Sequence, residues 1–162
     1  MTGWFAFTAP NGEDHQMPGR IYSVGYEGME LLGLIDVLVS AGVTLVIDVR
    51  LNPISRKPGW SKKALEAALA KAGIGYRHEA ALGNPPDNRG SFRQGDGKEG
   101  RRRMREILSN GSAEALQLLV AQAREQRIAV LCVERGALHC HRQVITDMAR
   151  EVDPSIEVCQ VL

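Results

Sequence analysis

Short β-branched and apolar runs alternate with stretches of helical periodicity along this chain, and that alternation restricts the fold more than any other feature. Thr44 to Val49 (Thr-Leu-Val-Ile-Asp-Val) and Ile128 to Val133 are continuous apolar runs of the kind found where a strand is covered on both faces by helices. Arg20 to Tyr26, ended by Gly25 and Gly28, predicts a first strand; Ile74 to His78 and Ile156 to Leu162 add two more. Between them, Met29 to Ala41 places Leu31, Leu32, Ile35, Leu38 and Val39 at helical spacing. Ser61 is placed to cap a helix over Lys62 to Lys71, with Leu65 and Leu69 inward and Gly73 closing it. Arg101 to Leu108, Ala113 to Arg127 and a last stretch from about Cys140 to Glu151 also read as helices. The expected architecture is α/β: one domain over residues 20–162, a mostly parallel sheet of about five strands, and helices on both faces. Residues 1–19 show no periodicity and read as an irregular arm. Leu82 to Gly100 is rich in Gly, Pro, Asn, Asp and Arg, and predicts a mobile basic loop at about 83–100.

A chain of 162 residues, 44% hydrophobic, is long enough to bury a core. Its formal net charge of +1 gives no global reason to expect a nucleic-acid or membrane partner, so electrostatic arguments rest on local clusters. Glu13 and Asp14 near the start, with no cationic leader and no long uncharged run, predict neither secretion nor membrane insertion. Three cysteines, Cys132, Cys140 and Cys159, suit reduced thiols better than a disulfide framework, so the expected compartment is cytoplasmic.

Open parallel sheets place ligands beyond the carboxyl ends of their strands. That rule selects the segments 25–28, 50–60 and 134–141. Within the eleven residues from Cys132 to Arg142 lie Cys132, Glu134, Arg135, His139, Cys140, His141 and Arg142, a set hard to explain as packing alone. Cys140, expected in the first turn of the last helix, would feel the positive end of the peptide dipoles, which stabilises thiolate. His141 and His139 are proton carriers near neutral pH, and Glu134 is the complementary carboxylate. Asp48-Val49-Arg50 closes a strand, and from Arg50 through Lys63 there are five basic residues and no acidic one. This is an anion-facing rim in which Arg50 and Arg56 supply the forks. From Arg89 to Arg105 there are seven basic residues against Asp96 and Glu99, but Phe92 is the lone aromatic, which argues only faintly for nucleic acid.

Taken together, Tyr22 to Tyr26, Leu45 to Arg50 with Pro53, Ser55, Pro58, Gly59 and Ser61, then Tyr76, His78 and Leu82-Gly83, and finally Leu131-Cys132-Val133-Glu134 and Cys140-His141-Arg142, resemble the bacterial and archaeal domain-of-unknown-function family numbered 488. The resemblance covers most of residues 20–150. It implies an α/β domain and a site built from the Asp-Val-Arg, Cys-x-Glu and Cys-His-Arg elements; the family lends no settled reaction. Residues 90–111 depart from the family pattern, which offers more aromatic residues before the penultimate helix. A weaker likeness, by analogy only, is to rhodanese-type domains, where an Asp-x-Arg strand end accompanies a catalytic cysteine.

Three functional expectations follow. The first is an enzyme with Cys132, Glu134, Cys140, His141 and Arg142 as its catalytic group, and Tyr26, Asp48, Arg50, Arg56 and His78 toward an anionic substrate, phosphate-containing ones among the candidates. The second is a zinc-type metal site from Cys132, His139, Cys140 and His141, although adjacent donors rarely bind one ion together. The third is a non-enzymatic nucleic-acid binder using the basic loops. No glycine-rich dinucleotide fingerprint or phosphate-binding lysine loop follows any expected strand, so no organic cofactor is indicated.

Overall fold

The computed structural model describes residues 18–161. The expected irregular arm therefore lies outside the described residues except for Pro18 and Gly19. Five strands, β1 (Arg20–Gly25), β2 (Leu45–Asp48), β3 (Gly75–His78), β4 (Ile128–Cys132) and β5 (Glu157–Val161), form one sheet in the order β3-β2-β4-β1-β5. Every pairing in it is parallel. Six helices complete the α/β architecture: α1 (Leu31–Ser40), α2 (Lys62–Lys71), α3 (Pro86–Arg93), α4 (Lys98–Asn110), α5 (Ala113–Glu125) and α6 (Arg142–Val152).

Alternation along the central strands separates two apolar layers, as the two-residue period of a strand requires. Val24, Val46, Ala129 and Leu131 pack against Leu34 and Leu38 of α1 and Leu65 and Leu69 of α2. Ile21, Ile47, Ile128 and Val130 face the other way, onto Met104 and Leu108 of α4, Leu116, Leu119 and Val120 of α5, and Val144, Ile145 and Ala149 of α6. β4 is buried along its whole length, which is why its sequence is apolar without a break.

Three local readings are corrected. The buried stripe of α1 is Leu34 and Leu38, while Leu32 is 75% and Val39 53% exposed; the helix is apolar nearly all round, so periodicity alone could not choose its inner face. Ser61 stands at the N-cap of α2, but its hydroxyl makes no capping bond. The segment expected as a loop at about 83–100 contains the whole of α3 and the start of α4. Pro86 occupies the first turn of α3 beside Asp87, and Asn88 and Phe92, four apart, are its buried residues. Asn88 Nδ2 donates to Asn84 Oδ1 (2.9 Å) and to the Gly100 carbonyl (3.1 Å), and Phe92 lies so close to Gly100 that a Cβ there would meet its ring at 2.8 Å. Tertiary contact with α4, rather than local composition, holds α3 in shape.

The β2 and β4 strands are neighbours whose following helices, α2 and α6, pack on opposite faces of the sheet. The chain therefore parts at their carboxyl ends and leaves a crevice there, as such switch points do. One side of the crevice is braced by Gly25 at the end of β1. A Cβ on Gly25 would sit 1.8 Å from the Glu134 carbonyl oxygen. Gly25→Ala is expected to cost more than about 3 kcal/mol in urea denaturation, because backbone must move on both sides. By contrast, Gly90→Ala in α3, where an added Cβ meets nothing within 4 Å, is expected to stabilise by roughly 0.5–1 kcal/mol.

Candidate active site at the ends of β2 and β4

A cavity of about 210 Å³ opens in that crevice, lined by Arg50, Leu51, Asn52 and Ile54 after β2, Asn84, Arg89 and Arg93 from the α3 region, and Cys132, Val133, Glu134 and His141 around β4. It is smaller than the roughly 300–1,000 Å³ typical of sites for drug-sized ligands, so it has room only for a small group.

Cys132 ends β4 and is 5% exposed at the cavity wall; Cys140 is 2% exposed and lies behind it. Both thiols are free, and their sulfurs and His141 Nδ1 lie within 4.8 Å of one another. Nδ1 is 3.9 Å from Cys132 Sγ and 3.6 Å from Cys140 Sγ. The other ring nitrogen, Nε2, is 3.0 Å from the Val49 carbonyl oxygen. A carbonyl only accepts, so Nε2 carries the proton, and in the neutral ring Nδ1 is left bare toward the two sulfurs.

Cys140 is extended and immediately precedes the helical turn of His141, one step before the expected first turn of α6. The cation beside its sulfur is a side chain. Arg142 is fully buried and donates from Nε to Ser23 Oγ (3.0 Å), from Nη1 to the Glu134 carbonyl (2.7 Å) and Cys140 Sγ (3.4 Å), and from Nη2 to the Arg135 carbonyl (3.5 Å). None of these partners is a carboxylate. A buried guanidinium needs a counter-charge, and the Cys140 sulfur is the acceptor placed to supply it. Burial opposes ionisation of Cys140, but the Cys132 hydrogen bond, His141 and Arg142 together outweigh it and hold the Cys140 thiol well below its usual range. The same hydrogen bond, then burial, pushes the Cys132 thiol up. Burial, followed by the charge on Cys140, also raises the Glu134 carboxyl, whose Oε2 is 3.4 Å from Cys132 Sγ.

The other expected site residues separate. Arg50 lines the cavity, yet most of its donors are used within the protein: Nε and Nη2 go to Asp48 (2.8 and 2.5 Å), and Nη1 goes to Tyr26 Oη (3.2 Å) and the Trp60 carbonyl (2.7 Å). Asp48 and Tyr26 lie buried beneath it, Tyr26 stacked on Trp60 at 4.1 Å, and His78 Nε2 reaches the Arg50 carbonyl at 2.8 Å. These residues fix Arg50 and do not line the cavity. Arg56 is exposed and His139 is exposed on the turn Ala137–His139; neither is brought to the cavity or to the sulfur group.

Sequence reasoning missed Arg89 and Arg93 as site residues. They stand four apart on one side of α3, both exposed and both lining the cavity, with Arg93 3.9 Å from Glu134. Their spacing is itself the signal, once the Pro-Pro-Asp start is read as a helix. Elsewhere in the basic stretch Lys98 is met by Asp96, Arg102 by Glu99 and Glu106, Arg103 by Asp87 and Arg105 by Glu151, while Arg101 donates to the Asp96 and Leu138 carbonyls.

With the Cys140 thiol held below its usual range, its thiolate is expected to persist to lower pH than that of a free cysteine and to be lost on further acidification. Ultraviolet thiolate absorbance is expected at pH 7 in the unsubstituted chain and in Cys159→Ser, and is expected to vanish in Cys140→Ser. Arg142→Gln is expected to move the titration up by about one pH unit or more, and Arg142→Lys by less.

The matched family model is that for the domain of unknown function DUF488, over residues 31–149. That span contains Asp48-Val49-Arg50, Cys132, Glu134 and Cys140-His141-Arg142, and omits the Tyr22–Tyr26 run. No curated protein matches the chain. With most of its length inside that match, the chain belongs to the DUF488 family.

Proposed function

We propose that the protein is a thiol-dependent enzyme acting on a small anionic substrate in the cavity between β2 and β4. The observation that carries this reading is the placement of Cys132 at the cavity wall, backed by Cys140 and a bare His141 Nδ1, and faced by the guanidiniums of Arg89 and Arg93. Cys132 is the attacking sulfur, since it borders the cavity and Cys140 does not. His141 Nδ1 takes the Cys132 proton, and Glu134, a half-buried carboxyl at the cavity wall that burial and the Cys140 charge hold above its usual range, is placed to pass a proton to the leaving group. Arg89 and Arg93 hold the anion with donors that Arg50 and Arg142 have already spent elsewhere.

Alkylation tests this. Iodoacetate, an anion, is expected to label Cys132 faster than neutral iodoacetamide does, reversing the order shown by a free thiol. Inorganic phosphate is expected to slow that labelling, and an Arg89→Ala, Arg93→Ala protein to lose the anion preference by about tenfold. Labelling of neither Cys132 nor Cys140 at pH 7 overturns the reading.

A second reading has its own observation. The separations of 3.6 and 3.9 Å between Nδ1 and the two sulfurs are near the roughly 3.5–3.8 Å ligand spacing that tetrahedral zinc imposes with bonds of about 2.0–2.3 Å. The Nε2–H bond to the Val49 carbonyl is the outer contact that metal-ligating histidines make. Cys132, Cys140 and His141 would be the ligands, with His139 outside the set. Elemental analysis separates the two: near-stoichiometric zinc, with alkylation appearing only after chelation, supports the metal site, and less than about a tenth of an equivalent removes it.

A further inference from the structure

Resting on the thiol reading, we propose that Cys132 and Cys140 act as an attacking and a resolving cysteine, and that the substrate is an anionic disulfide. A one-sulfur mechanism leaves the second thiol without a task. Cys140 is held beside a buried guanidinium, at 3.4 Å from Arg142 Nη1, in a position that does not line the cavity. No substrate in the cavity meets it directly. The electrophile that does reach it is one carried on Cys132, whose sulfur lies within 4.8 Å. A mixed disulfide is the covalent intermediate that a neighbouring thiolate discharges without water.

The chemistry closes with two exchanges. The Cys132 thiol passes its proton to His141 Nδ1, and its sulfur attacks one sulfur of the substrate disulfide. The substrate S–S bond breaks, and one half departs as a thiol after taking up a proton. The Cys140 thiolate then attacks Cys132 Sγ; the mixed S–S bond breaks, the Cys132–Cys140 disulfide forms, and the second half departs as thiolate. Two electrons pass from the cysteine pair to the substrate. A small dithiol, oxidised in its turn to a disulfide, restores the pair and completes the cycle.

Bond formation draws the sulfurs to about 2.05 Å. Arg142 holds the Glu134 and Arg135 carbonyls, so the part that can yield is the stretch just before Cys140, where Gly136, Leu138 and His139 are exposed and the regular element is the short 3-10 turn Ala137–His139. At the mouth, Arg89 and Arg93 favour a disulfide that carries carboxylate or another anion near its sulfurs.

The test treats the reduced, unsubstituted protein with dithiodiglycolate, an anionic disulfide, and in parallel with cystamine, a cationic one, and maps the products by peptide mass spectrometry. The expected result is an intramolecular Cys132–Cys140 disulfide with about two equivalents of thiol released, formed at least about tenfold faster with the anion than with the cation. Cys140→Ser is expected to stop at a stable mixed disulfide on Cys132. A persistent adduct on Cys132 in the unsubstituted chain, or first attack by Cys140, overturns the proposal; this arm needs no variant and holds if Cys140→Ser fails to fold. Should iodoacetate label Cys132 while no Cys132–Cys140 disulfide forms, the resolving role falls and the thiol reading stands. Should neither reagent touch either cysteine, both fall.

Discussion

The pairing of the Arg142 guanidinium with the Cys140 sulfur is the interaction on which the rest of the site depends. A fully buried arginine beside a carboxylate would be an ordinary ion pair; here the partners are a hydroxyl, two backbone carbonyls and a sulfur. The arrangement ties β1, through Ser23, to the connection between β4 and α6, through Glu134 and Arg135. It also gives the cysteine pair a reason to carry charge. Neither partner is easily replaced alone, because removing one leaves the other's charge or polarity buried without an answer.

A second buried arginine plays a comparable part on the opposite face. Arg50 is closed by Asp48, Tyr26 and the Trp60 carbonyl, and Asp48 also accepts from Tyr76 Oη at 2.6 Å. One arginine braces the loop after β2 and the other braces the loop after β4. The crevice between these strands is thus held from both sides, and His141, reaching the Val49 carbonyl, bridges them. A small cavity with braced walls is the outcome.

The strand and helix alternation was readable because parallel strands under two helical layers leave unbroken apolar runs, as at 44–49 and 128–133, and α2 runs from Lys62 to Lys71 as its cap and closing glycine suggest. Fold class and family were both legible on those grounds. So was the proximity of Cys132, Glu134, Cys140, His141 and Arg142, since one short connection must return the chain from a strand end to a helix start. Two things were hidden. The first was α3, whose glycine, prolines and asparagine look like loop until Phe92 and Asn88 find Gly100 on α4. The second was the division of labour among arginines: charge and position along the chain make Arg50, Arg56 and Arg142 look equivalent, whereas Arg50 and Arg142 turn most of their donors to groups within the protein and Arg56 is exposed.

The seating of α3 has an evolutionary consequence. The two sulfurs and His141 stand on the sheet and on the turn into α6, whereas Arg89 and Arg93 ride on eight residues joined to α4 by Asn88, by the Phe92 ring and by the Asp87–Arg103 ion pair. Selection can therefore exchange the guanidiniums at 89 and 93 without disturbing the sulfurs. On the proposed reading, drift in ligand preference within such a scaffold is cheapest along that single short helix, while the sulfurs beneath it stay put.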